Sequence, residues 1–198
     1  MPDVVKVTKE AARQNHQDLL RATGQMMRAK GVSVATVANI AAEAGLTHGA
    51  IYRHFPSKDD LAAAAISADF DTIVALLTQI AAQGGSLADY YRAYLATDHR
   101  DYFVWGCPVA PLAAEISRTA QPIKAAFAEG LERNLDAMAD LSGIPDKAEA
   151  RSYAISALAT LSGAMAMARA TQLCDPELSQ HILEQSLTTL LADPRIAG

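Results

Sequence analysis

The residues best suited to chemistry lie in one short stretch. Thr47, His48, Gly49, Tyr52 and Arg53 fall within seven positions, and the spacing predicts that they share the open side of a short helix. His, Tyr and Arg side chains hydrogen-bond base edges and phosphates, and a glycine lets a backbone approach closely. The chemistry implied is recognition of a polyanion rather than bond making. A second group is aromatic: Tyr90, Tyr91, Tyr94, Tyr102, Phe103 and Trp105 lie within sixteen residues, six of the eleven aromatics in the chain. Such a cluster suits the wall of an apolar pocket, or an ordinary core. Cys107 follows Gly106 at an expected helix start, where unpaired amides lower a thiol's pKa. It is a candidate oxidant or electrophile sensor, or a small buried residue. Five histidines are dispersed and the two cysteines, Cys107 and Cys174, are far apart, so no metal and no cofactor are expected. No G-x-G-x-x-G after a strand, P-loop, G-x-S-x-G or paired Glu-x-x-His is present, so no enzyme is expected.

Residues 36–55, TVANIAAEAGLTHGAIYRHF, supply the elements that would position the first group. Thr36 is a good N-cap, and Val37, Ile40, Ala41 and Ala44 follow at helical spacing. Gly45 closes that helix. Thr47 caps the next, which Pro56 ends. Ser57 caps a fourth helix, with Asp60 completing something close to a capping box. Two short helices around a glycine turn form a helix-turn-helix, whose second helix enters the DNA major groove by its N-terminal residues. Many helical hairpins share this outline and bind nothing.

The wider chain agrees with an all-helical fold. Of 198 residues, 41 are alanine, the best helix former and a poor strand former. Breaks at Gly31, Gly84–Gly85, Gly143–Pro145 and Asp175–Pro176 leave about nine helices. A first helix is expected over 9–30, one from Ser86 to about Thr97, an irregular stretch over 98–106, and another from Cys107 or Pro108. Net charge is −5, which taken alone argues against nucleic acid. Residues 1–60 nevertheless hold eight Lys/Arg against six Asp/Glu, while residues 61–198 hold nine against sixteen. The first part is thus +2 and the second −7. The uncharged run Ser152–Ala168 is short for a membrane span and reads as a buried or interface helix. Without an apolar N-terminal run, the expected location is the cytoplasm.

The stretch VANIAAEAGLTHGAIYRHFPSKDDL, residues 37–61, resembles the DNA-binding domain of the TetR family of transcriptional regulators. It follows T-V-x-x-I-A-x-x-A-G-V-S-x-G-x-[IL]-Y-x-[HY]-F-x-[ST]-K-[ED]-x-L at nearly every fixed position. Leu46 stands for the usual Val and Thr47 for the usual Ser. The likeness covers about residues 10–61. A weaker one joins GCPVAPLAAEI, residues 106–116, to a segment of some TetR ligand domains.

The resemblance implies a DNA-binding domain over 1–60 and a ligand-binding and dimerisation domain over 61–198. By position, Tyr52 and Lys58 would contact phosphates. Thr36 and Thr47 would cap helices and offer hydroxyls. His48, Gly49 and Arg53 would face bases, beside Ala38 and Asn39, and His54 would touch phosphate or pack. The implied partners are palindromic double-stranded DNA, a small apolar or aromatic effector, and a second copy of the chain. Specificity asks for two copies, since modules one helical turn apart, about 34–36 Å, read a palindrome. The expected dimer face is the small-residue side of the long helix, Ala154, Ala157, Leu158, Leu161, Ala164, Met165 and Ala168, with the leucines of the last helix. Expected effector contacts are Phe70, Tyr90, Tyr94, Tyr102, Phe103, Trp105, Cys107, Leu112, Phe127, Met138 and Met165, with Met167 a further wall. Binding would release DNA. The alternatives are a helical adaptor for proteins only, or a regulator sensing through Cys107.

Overall fold

A computed structural model describes residues 9–102 and 106–196. The described residues form ten helices and no strand: α1 Lys9–Lys30, α2 Val37–Ala44, α3 His48–His54, α4 Lys58–Ala82, α5 Leu87–Tyr94, α6 Thr97–Asp101, α7 Val109–Ile116, α8 Gln121–Leu141, α9 Lys147–Thr171 and α10 Pro176–Leu191.

The helix starts follow the side chains that accept from otherwise unpaired first-turn amides. Thr36 accepts from the Asn39 amide at 3.2 Å, Thr47 from that of Ala50 at 3.3 Å, and Ser57 from that of Asp60 at 3.1 Å. Asp146 and Asp175 do the same for α9 and α10. Gly45, at φ +66°, ends α2, and the Leu46 amide reaches back to the Ala41 carbonyl at 2.9 Å.

The tenth helix is α6, within a stretch expected to be irregular. Its separation from α5 has a local cause. His99 Nδ1 donates to the Tyr94 carbonyl at 2.6 Å, taking the acceptor that a continuing helix would use. Ala96 is extended there, and the chain restarts at Thr97. Arg169 on α9 then donates to the carbonyls of His99 and Arg100, closing the far end of α6.

Two apolar cores result. The first joins α1, α2, α3, the N-terminal half of α4, α7 and the start of α8 around Leu19, Met27, Ile40, Ile51, Leu61, Phe70 and Leu112. The second joins α5, α8, α9 and α10 around Tyr91, Met138, Leu158, Leu161, Met165 and Leu183, with Ile73 and Leu77 of α4. Helix α4 therefore serves both. By length and composition it could cross a membrane, but its apolar surface packs on α1 and α8. Against α8, Gly130 leaves room for the Phe70 ring, which a Cβ there would overlap.

The expected dimer face needs correction. Ala154, Ala157, Leu158, Leu161, Ala164, Met165 and Ala168 are all buried within one chain, because this side of α9 faces α8 and α10. The outer side of α9 carries Ile155, Ser156, Ala159, Thr160, Ala166 and Met167 instead, all exposed.

Arg28 on α1 forms a buried ion pair with Asp69 on α4. Burial pushes the Asp69 carboxyl above its usual range, and Arg28 pulls it partly back. Removing one partner strands the other charge in the interior, which costs about 3–5 kcal/mol, whereas an apolar pair of similar size is often neutral or better. Arg28→Met is expected to lower stability by about that amount. Arg28→Met with Asp69→Leu should recover most of it in urea unfolding.

Candidate nucleic-acid interface

Helix α3 offers a face rather than a cleft. Its inner side is fixed by Ala50 and Ile51, both buried, and Phe55 closes the end nearest α1. What remains outward is Thr47, His48, Gly49, Tyr52 and Arg53, all exposed. Tyr52 is 54% exposed although it is a large aromatic, so core packing does not account for it. A Cβ at Gly49 would meet nothing within 4 Å, so the glycine is not required by the fold. Its value lies in leaving the helix start bare for a close partner.

Helix α2 lies behind, with Thr36, Ala38 and Asn39 exposed. Asn39 Nδ2 donates to the Val34 carbonyl at 2.9 Å, so this side chain closes the turn before α2. His54 is half-buried and turns toward α1, its ring 5.8 Å from that of His16, which stacks on Phe55 at 4.9 Å. Burial first, then His16 and Arg53, lower its pKa below the ordinary 6.5. This favours the neutral ring at pH 7, packed toward α1. Lys58 opens α4 and lines a crevice with Val32, Ser33, Glu115 and Arg118. Asp59 and Asp60 share its first turn, so the attraction of the helix end for an anion is offset there.

The turn between α1 and α2 is clamped from the body. The Glu115 carboxylate on α7 accepts from the Val32 amide at 3.0 Å and the Ser33 amide at 3.1 Å. Gly31, at φ +89°, makes the turn possible, and a Cβ there would lie 2.9 Å from the same carboxylate. Local spacing carries no sign of this contact, whose partners are more than 80 positions apart.

The body holds a cavity of about 420 Å³ between α4, α5, α6 and Cys107. Its walls include Ile73, Leu76, Tyr90, Tyr94, His99 and Tyr102. Four expected effector contacts, Tyr90, Tyr94, Tyr102 and Cys107, thus share one space. Phe70, Leu112 and Phe127 pack in the first core, with Phe70 and Phe127 edge to face at 5.4 Å, while Met138 and Met165 pack in the second. None of these five lines the cavity. Tyr91 is a core residue, its hydroxyl 3.1 Å from that of Tyr153, and Met167 is exposed on α9. Phe103 and Trp105 lie outside the described residues. A neighbouring groove of about 620 Å³ between α1 and α4 shares Ile73, Leu76 and Gly106 with the cavity and reaches Arg28 and Asp69.

Of the two readings of Cys107, the structure supports the small buried residue. Burial pushes its thiol up to about 11, and the Val109 amide offsets this only in part. The thiol is therefore protonated at neutral pH, not activated by the start of α7. Among the described residues no cluster of three His, Cys, Asp or Glu could hold a metal.

Residues 19–65 match the pattern described as bacterial regulatory proteins of the tetR family. Residues 86–176 match that of the LmrA/YxaF-like transcriptional regulator C-terminal domain. The HTH-type transcriptional regulator TtgR of Pseudomonas putida is 36% identical over 69 residues, 35% of this chain and 33% of that protein. The HTH-type transcriptional regulator AcrR of Shigella flexneri is 38% identical over 58 residues, 29% of this chain and 27% of that one. The chain thus spans about a third of the length of the curated relatives it matches. Among solved structures, the reduced form of NemR from E. coli superposes with a TM-score of 0.73 at 19% identity, covering 89% of this chain and 95% of that one. A TetR-family regulator from Agrobacterium tumefaciens gives 0.72 at 23%, covering 90% and 98%. These two likenesses are of fold. With both sequence patterns in register with the α1–α4 head and the helical body, the chain belongs to the TetR family of transcriptional regulators.

Proposed function

We propose that this chain is a repressor that holds a palindromic operator as a homodimer and leaves it when a small apolar molecule fills the body cavity. In this reading residues 1–60 read DNA and residues 61–198 bind effector and dimerise. The observation that carries it is the outward row Thr47, His48, Gly49, Tyr52 and Arg53 on a helix whose inner side is locked into the core. His48, Gly49 and Arg53 face bases, and Tyr52, Lys58 and the Thr36 and Thr47 hydroxyls face phosphates. Asn39 and His54 position these groups rather than touch DNA.

Binding of a palindromic fragment from the protein's own promoter region should weaken steeply with salt, as counterion release requires. Tyr52→Ala and Lys58→Ala should each weaken binding across all sequences. Lys58→Ala should also make the salt slope shallower by about one. Fluorescence anisotropy at several salt concentrations tests this. Tight binding that ignores both salt and sequence would point to a protein adaptor.

The corrected outer face of α9 supports the dimer. It is uncharged from Ser152 to Ala168, and Ile155 and Met167 are 50% and 54% exposed. A Cβ at Gly163 would meet nothing within 4 Å, so a second helix can come close there. Gly163→Glu should therefore leave the monomer folded but yield monomers by sedimentation, with operator affinity lost. A Gly163→Glu chain that stays dimeric places the interface elsewhere.

Coupling would run through α7. Cys107 and Gly106 wall the cavity just before this helix, and Glu115 near its end holds the α1–α2 turn. A ligand moves the head only by its preference between two arrangements of these contacts. Glu115→Ala should cost about 1–2 kcal/mol of stability, since two amides lose a charged acceptor. It should also shrink the ratio of operator affinities measured without and with effector. An unchanged ratio would remove α7 from the route.

A further inference from the structure

The cavity wall is mainly apolar, with Tyr90, Tyr94, Asp98, His99, Tyr102 and Cys107 as its polar residues. The Tyr90 hydroxyl is fully enclosed and has no hydrogen-bond partner. Tyr94, edge to face with Tyr90 at 5.7 Å and with His99 at 4.6 Å, sets its hydroxyl near Ser162 and Cys107 without an aligned hydrogen bond. His99 gives its Nδ1 proton to the Tyr94 carbonyl, so the lone pair sits on Nε2, facing Gly106.

All four groups are neutral at pH 7. Burial lifts both tyrosines well above the ordinary 10 and Cys107 to about 11, and it lowers His99. Asp98 is exposed at the rim. Arg169, whose charge acts on Tyr94, His99 and Cys107, donates to the His99 and Arg100 carbonyls and does not line the cavity.

A buried hydroxyl without a partner is costly and rare in folded proteins. Next to an apolar cavity, the missing partner is an acceptor that the chain itself does not supply. Resting on the reading of this cavity as the effector site, we propose that its ligand is a neutral, mainly apolar molecule carrying a carbonyl-type acceptor, to which Tyr90 donates. A carboxylate would find only Arg169 nearby, outside the wall and already donating to two carbonyls, and a plain hydrocarbon would leave Tyr90 unpaired.

Calorimetry on the full chain at pH 7 with three probes of one shape tests this: 1-tetralone, tetralin and tetralin-1-carboxylate. Tetralone prefers water more than tetralin does, so a site offering only apolar contact would rank tetralin first. Tetralone is expected to bind tightest, about 3–10-fold ahead of tetralin, the range of one net hydrogen bond. Tyr90→Phe removes an oxygen that bonds to nothing in the protein, so the fold should persist, as a melting curve will show. In that variant the tetralone preference should vanish while tetralin affinity stays the same.

Tetralin equal to or ahead of tetralone, a preference that survives Tyr90→Phe, or tightest binding by the carboxylate would each overturn the ligand class. If the favoured probe then still lowers operator affinity, the effector site stands and only the class falls. If none of the three binds, the cavity is not the effector site and both readings fall together.

Discussion

One helix takes part in both cores. The N-terminal half of α4 sits in the core that locks α2 and α3, and Ile73 and Leu77 further along it sit in the core of the body. Its buried residues, from Leu61 through Phe70 to Leu77, form one stripe that passes from the first core into the second. The alanines around that stripe make Lys58–Ala82 read like a membrane span when length and composition alone are considered. The consequence is mechanical. Close-packed interiors shift between discrete arrangements rather than deform smoothly. Helix α4 runs without a break from the core of the helix-turn-helix to the cavity wall at Ile73 and Leu76.

Contacts near in sequence were legible, and contacts far apart were not. Thr36, Thr47, Ser57, Asp146 and Asp175 announce their helices because a cap needs only a side chain and an amide two or three residues on. The outward row on α3 was legible for a similar reason, since helical periodicity sorts Ala50 and Ile51 from Tyr52 and Arg53. The Arg28–Asp69 pair and the Glu115 clamp join residues 41 and more than 80 positions apart, and no local pattern encodes either. The wall of the cavity was half legible. Clustering found Tyr90, Tyr94 and Tyr102, but Phe70, Met138 and Met165 have the same composition and serve as core. Apolarity alone cannot separate lining from packing. The sign of the Cys107 shift also depended on tertiary structure, because burial outweighs the helix start.

The charge of the head also changes meaning once residues are placed. The +2 over residues 1–60 counts Arg28, which is buried against Asp69 of α4. It also counts Arg13 and Arg21, engaged with Glu10 and Asp18 on α1. None of these three cations belongs to the outward row of α3. Arg53 belongs to that row and Lys58 opens α4, so the positive charge the head offers is a few placed groups more than a general positive field. In the proposed reading such groups would fix register on the phosphates, while the acidic body would oppose approach in the wrong orientation.

The first core joins the head to α4, α7 and α8 by apolar contacts, and the polar contacts that cross the same joint have a physical reason. An apolar contact holds two surfaces together but tolerates sliding, since it has no preferred direction. A carboxylate accepting from two successive amides tolerates little, because hydrogen bonds weaken steeply as they bend. Glu115 on Val32 and Ser33 therefore fixes the angle of the α1–α2 turn relative to α7, and Arg28 with Asp69 fixes α1 relative to α4. Arg28 and Asp69 themselves line the groove beside the cavity, and Glu115 lies on the helix that follows the cavity residues Gly106 and Cys107. Two directional contacts across an otherwise apolar seam thus hold the head at a defined angle to the body, which apolar packing alone would not do.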